Sequence, residues 1–125
     1  NMKLYWNIHA PGEDSGGSMK NPSPDDVMDR LDGMERHAGV VGLDDPATSS
    51  NLQVRGERQT YLLTLGCEEE DDYDVKTPYC ATTAPDMIPV LGDLYDARTL
   101  TTDFELVRAI FRLFLAGERN PDGMV

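Results

Sequence analysis

The sequence is poor in the residues that carry most enzyme chemistry. Two cysteines and two histidines are all it has. Cys67 and Cys80 stand thirteen apart, with His9 and His37 distant from both, which is no recognisable zinc ligand set. There is no GxxxxGKS/T, GxGxxG, HExxH or GxSxG pattern, so neither a phosphate cradle nor a metalloprotease helix nor a nucleophile elbow has a starting point. No apolar run nears the length of a bilayer span, and the N-terminus lacks the basic, apolar, small-residue order of a signal peptide. The expectation is a cytoplasmic protein with no membrane partner. Positive charge is scarce as well: 11 Lys and Arg against 23 Asp and Glu give a net charge of −12. That field repels nucleic acid and anionic lipid and attracts basic surfaces, so nucleic acid is excluded as a partner.

What is present suffices for one domain. In 125 residues, 39% are hydrophobic and 27% charged, within the range of folded globular chains. Residues 2–121 are expected to form that domain, with Asn1 an appended residue ahead of Met2 and residues 122–125 a tail. "KLYWNIHA" alternates Leu4, Trp6 and Ile8 with polar positions, the period of a strand buried on one face. "PGEDSGGSMKN" reads as a surface loop. Ser23, Pro24, Asp25 and Asp26 then punctuate a helix whose apolar face is Val27, Leu31, Met34 and Ala38 and whose stop is Gly39. Gly33 inside it costs about 1 kcal/mol relative to alanine, so this helix must lean on tertiary packing.

Four β-like segments follow, "VVGLD", "NLQVRGE", "QTYLLTLGC" and "DYDVKTPY", and read as an antiparallel meander. Tyr61, Leu63, Leu65 and Cys67 share a face of the third, and Tyr73, Val75, Thr77 and Tyr79 a face of the fourth. "DMIPVLGDLYDA" adds a fifth strand at an edge or bulge because of Pro89. The closing helix has Thr102 and Glu105 as a capping box and a wide apolar face of Leu106, Val107, Ile110, Phe111, Leu113 and Phe114, ending at Gly117. The predicted fold class is α+β: one mainly antiparallel sheet of about five or six strands with two α-helices packed on it.

The most unusual stretch is "CEEEDDYDVKTPYC", with six carboxylates in seven positions, Glu68, Glu69, Glu70, Asp71, Asp72 and Asp74. Read as an EF-hand loop from Glu68, it puts Tyr73 where glycine is required and Tyr79 where the bidentate glutamate belongs, so the metal motif fails. Read as a disulfide loop, it fails on distance. If the two strands form a hairpin around the acidic turn, Cys80 lies about seven residues beyond the partner of Cys67, roughly 20 Å at ~3.3 Å per residue, against a bridge limit near ~7 Å. Two free thiols are expected, with Cys67 a small core residue. The third reading is a negative surface for a positive partner. From Glu68 to Asp96 there are nine acidic residues, Asp86, Asp93 and Asp96 among them, and only Lys76 as a base; consecutive like charges loosen a turn without helping it fold. Tyr79 and Tyr95, lying among these acids, are candidate interface anchors. No catalytic residue and no cofactor is expected. "DSGGS", Asp14 to Ser18, matches the stretch around a trypsin-like nucleophile but has no supporting His and Asp context. His9 on a strand and His37 at a helix end read as structural.

The C-terminal half, "LQVRGERQTYLLTLG" and then "PVLGDLYDARTLTTDFELVRAIFRLFLAGERNP", resembles the Imm1-type immunity proteins of bacterial polymorphic toxin systems, whose amphipathic helix runs into a phenylalanine-rich turn and a "GER-P" tail. The resemblance spans about Leu52 to Pro121, with the helix and turn falling on Ala109 to Glu118 and "GERNP" on Gly117 to Pro121. It implies a non-catalytic inhibitor that binds one cognate toxin domain, a basic nuclease or nucleic-acid deaminase, and occludes its active site. On that expectation Glu68 to Asp74, with Asp93 and Asp96, stand in for the nucleic-acid backbone. The alternatives are an acidic adaptor with a non-toxin partner, or a small enzyme using Asp93 or Asp96 as a general acid or base, which requires a carboxylate of raised pKa in an apolar pocket.

Overall fold

In the computed structural model, which describes residues 1–12 and 15–125, the period-two segments form strands β1 (Lys3–Ile8), β3 (Gly39–Asp45), β4 (Ser50–Glu57), β5 (Thr60–Glu69) and β6 (Asp72–Lys76). Together with β2 (Gly16–Lys20) they make one antiparallel sheet in the order β2-β1-β3-β4-β5-β6. Helices α1 (Pro24–Arg36) and α2 (Phe104–Leu115) complete an α+β fold, beside a separate two-stranded hairpin of β7 (Met87–Val90) and β8 (Asp93–Asp96).

Register explains which face the helices cover. Leu4, Leu43, Leu52 and Leu65 stand opposite one another across four strands, and Trp6, Val41, Val54 and Leu63 form the next row. All but Trp6 are buried, in one cluster with Val27, Leu31 and Met34 of α1 and Phe104, Val107, Ile110, Phe111 and Phe114 of α2. Each such side chain contributes about 1.5–3 kcal/mol of transfer free energy. Ser23 caps α1 as expected and does so in a capping box that sequence reasoning did not name: Asp26 N–H donates to Ser23 Oγ at 3.1 Å and Ser23 N–H to Asp26 Oδ2 at 2.9 Å. Gly33 has a packing reason, since a Cβ there would lie 3.1 Å from Ile8 Cδ1. Arg108, largely buried over the Phe104 ring, ties α2 to α1 through Asp32 at 2.9 Å and through Glu35.

Several expectations are corrected. The Gly-rich "loop" contains β2, because a side chain at Gly17 would meet Trp6 Cζ2 at 2.6 Å and only glycine lets the strand lie against that ring. Of "DSGGS", Asp14 lies outside the described residues, and Gly16 to Ser18 belong to β2. "DMIPVLGDLYDA" is a hairpin turning at Leu91 and Gly92, whose φ values of 52° and 88° suit a two-residue hairpin turn. The cap of α2 is Asp103, whose carboxylate accepts from the N–H of Glu105 and Leu106. Helix α1 ends at Arg36 with His37 as its cap, and Gly39 instead opens β3, where a Cβ would strike the Asn7 carbonyl. Leu113 is exposed. Residues 122–125 are no loose tail: Met124 is buried in the core, and Val125 exchanges hydrogen bonds of 2.9 and 3.0 Å with Thr77.

Candidate partner-binding face

The acidic run is the tip of the β5–β6 hairpin. Glu69 pairs with Asp72, Glu68 with Tyr73 and Cys67 with Asp74, leaving Glu70 and Asp71 as the turn. Glu68 to Asp72 are exposed and Asp74 is half-buried. None of the six enters an ion pair among the described residues. Alternation divides them: Glu69, Asp72 and Asp74 point toward the helix side of the sheet, and Glu68 points with Tyr73 to the open side.

That open side adjoins a rigid polar platform that sequence reasoning missed. Tyr5 Oη donates to Gln53 Oε1 at 3.0 Å and accepts from Asn51 Nδ2 at 2.9 Å; the same amide nitrogen lies 2.5 Å from Asp44 Oδ1. The Tyr5 ring occupies the space a side chain at Gly42 would fill, and Tyr73 does the same over Gly66. Burial pushes the Tyr5 hydroxyl above its ordinary pKa; the Asn51 bond opposes this and the Asp44 charge adds to it. Beside these rings, Asp44, Ser49, Asn51, Glu68 and Tyr73 line an open pocket of about 380 Å³. Tyr73 and Val75 are 55% and 49% exposed, so the hairpin offers aromatic and aliphatic surface next to its charge. The only clue in the sequence was the alternation of Asn51 and Gln53 with Leu52 and Val54 in "NLQV".

The other candidate residues lie elsewhere. The β7–β8 hairpin packs on β4 and β5, and Asp93 pairs with Arg55 at 3.4 Å. Arg55 stands opposite Leu62, seven residues along β5 from Glu69, roughly 24 Å at ~3.4 Å per residue. Asp96 is held bidentate by Arg98, with Nη2 at 2.6 Å and Nε at 3.0 Å, and Arg98 lies over the Tyr79 ring at 5.6 Å. One continuous ridge of Glu68 to Asp74, Asp93 and Asp96 is therefore not formed, because the second hairpin docks at the far end of the sheet. Tyr79 is exposed, and Tyr95 is half-buried on that hairpin. The Arg98 hydrogen bonds hold the Asp96 carboxyl below the usual carboxylate range, opposite to what a general acid there requires.

Both thiols are free. Cys67 is half-buried with Sγ 3.9 Å from the Thr48 carbonyl, and Cys80 is exposed with its pKa lowered to about 7 by hydrogen bonds from Thr82 and Thr83. No group of three or more His, Cys, Asp or Glu among the described residues is placed to hold a metal. No helix there is long and apolar enough to cross a membrane.

Behind the platform, Asp45 is buried against Arg119 of the "GERNP" stretch. Arg119 Nη2 donates to Asp45 Oδ2 at 2.6 Å, Nε to Ser50 and Thr48 hydroxyls, and Nη1 to the Phe114 and Glu118 carbonyls, while the guanidinium lies 3.7 Å over the Phe114 ring. The arrangement is structural: it fastens the end of α2 to the β3–β4 turn.

A family model described as "Family of unknown function (DUF6911)" matches residues 5–122. No curated protein matches the chain. A solved structure, "Crystal structure of a hypothetical protein from Neisseria gonorrhoeae", is similar in fold, with a TM-score of 0.78 at 19% identity over 99% of this chain and 92% of that one.

Proposed function

We propose that this chain, which belongs to the DUF6911 family, is a non-catalytic binding module that captures a basic protein domain through the β5–β6 hairpin and the adjoining open face of the sheet. The observation that carries the reading is six carboxylates gathered on one hairpin without a single cationic partner among the described residues. Held apart from internal pairing, they keep their full field for a partner, where opposite charges raise association rates and fix orientation. Tyr73 and Val75 supply the apolar contact that charge alone lacks. With the likeness to immunity proteins, the partner we favour is a toxin domain of nuclease or deaminase type met in the cytoplasm, its substrate cleft covered by the hairpin. Asp93, Asp96, Tyr79 and Tyr95 fall outside this contact unless the partner spans both hairpins.

The test is a capture from the native bacterium at low and at high salt, using the wild-type chain and a Glu69→Lys, Asp71→Lys, Asp72→Lys variant, with growth rescue by co-expression as a second readout. The reading expects one basic protein held at low salt, weakened at high salt and lost by the variant, whose toxicity the wild type suppresses. Capture unchanged by salt and by charge reversal would overturn it. Capture without any rescue would favour the adaptor.

A further inference from the structure

We infer that the cavity between the C-terminal half of α1 and β1 is a binding site for a phosphate group. It lies on the helix side of the sheet, away from the acidic hairpin, and does not rest on the partner reading. The cavity measures about 210 Å³ and is lined by Trp6, Ile8, Arg30, Gly33, Arg36 and His37, with Asp29 the only acid among the described lining residues. Pockets for drug-sized ligands run to about 300–1,000 Å³, so this space suits one compact group.

Its charge runs against the rest of the molecule. Of eight arginines in a chain of net charge −12, Arg55, Arg98, Arg108 and Arg119 are ion-paired. Two of the four that enter no ion pair among the described residues, Arg30 and Arg36, line this one cavity. Along α1, Gly33 lies one turn from Arg30 and one turn from Arg36, so the two arginines flank it, and His37 follows as the cap residue. Gly33 between them adds no side chain to the cavity wall and lets Ile8 pack against the helix. Arg30 lies over the Trp6 ring with Cζ 3.8 Å from its centroid. A guanidinium engaged through its face keeps its in-plane N–H groups for an acceptor. Two such forks and an imidazole match the several oxygens of a phosphate better than the two of a carboxylate. Carbonyls at the end of α1 oppose an anion with about half a charge and Asp29 with a full one, and the two arginine charges still exceed their sum.

A purely structural role is the competing explanation, with Arg30 covering Trp6 and Arg36 neutralising the helix dipole. The chain's single tryptophan separates the two. Inorganic phosphate, titrated at constant ionic strength against chloride, is expected to change Trp6 emission saturably, with the same affinity by calorimetry. Arg36→Gln, an exposed position, and Arg30→Gln are each expected to weaken binding at least about tenfold by calorimetry, the worth of one charge-assisted hydrogen bond. Glycerol phosphate and a phosphoserine peptide, compared with inorganic phosphate, identify whether the group arrives on a metabolite or on a protein. No saturable response, a response equal to that with chloride, or unchanged affinity in both variants would overturn the assignment.

Discussion

Replacing Arg119 by alanine should cost this protein a large share of its stability. The Arg119 side chain is 18% exposed and that of Asp45 9%, so Arg119→Ala leaves a buried carboxylate with only the Ala47 N–H at 3.2 Å and the Thr48 hydroxyl at 2.9 Å. Removing one partner of such a pair costs about 3–5 kcal/mol, against a total stability of roughly 5–15 kcal/mol for a domain. At about 3–5 °C per kcal/mol for a chain of this size, the melting temperature should fall by roughly 10–25 °C. Asp45→Asn, which keeps the shape and removes the charge, should cost less, and the double variant less than the sum of the singles by at least about 1 kcal/mol. Acid should report the same contact. The Arg119 hydrogen bond, with those from Thr48 and Ala47, holds the Asp45 pKa below its ordinary value despite burial. A depressed carboxylate contributes stability above its unfolded pKa of about 3.9 and loses it as pH falls through the folded value. The gap between wild type and Arg119→Ala should therefore be full at pH 7 and narrow below about pH 4. Thermal melts across pH decide it: a loss under about 1 kcal/mol at pH 7, or a gap that widens in acid, refutes the reasoning.

Three further outcomes are expected. Tyr5→Phe keeps the ring over Gly42 but deletes its bonds to Gln53 and Asn51, at about 1 kcal/mol each, whereas Gly42→Ala drives a methyl into that ring at about 1–3 kcal/mol; urea unfolding ranks them. Glu70 and Asp71 turn the acidic hairpin without the positive φ that suits two-residue turns, so Asn-Gly in their place should stabilise by roughly 0.5–1 kcal/mol while weakening partner capture. With its pKa near 7, Cys80 should react with iodoacetamide faster than Cys67 at neutral pH, its rate rising through pH 7, and Thr82→Val should move that midpoint upward; mass spectrometry of the labelled chain follows it.

Helix α1 and the meander β3–β6 were legible because each is specified locally. Ser23, Pro24 and the paired aspartates mark one helix end, and strict alternation in "NLQV" and "YLLTL" marks strand faces. Strand β2 was illegible because its identity lies in what Gly17 allows Trp6 to do, a contact eleven residues away that leaves no pattern in "GGSMK". The β7–β8 turn was hidden by Leu91, a residue that seldom takes positive φ. At the candidate site the charge was plain and its arrangement was not. Asp93 and Asp96 belong to the same acidic stretch of sequence as Glu68, yet a separate hairpin carries them to the other end of β5. The Tyr5 platform joins residues 46 and 48 apart, a separation at which single-sequence periodicity carries no information.

The strand order also sets an order of events. Strands β3, β4, β5 and β6 are joined by tight turns at Pro46–Ser49, Arg58–Gln59 and Glu70–Asp71 and close their pairings locally. Strand β1 must instead find β3 across the whole of β2 and α1, with Leu4 meeting Leu43. Loop closure over that distance is the slower, entropically costlier step. The meander is therefore the natural nucleus, and the Trp6 end of the sheet the last part to be fastened and the first to open.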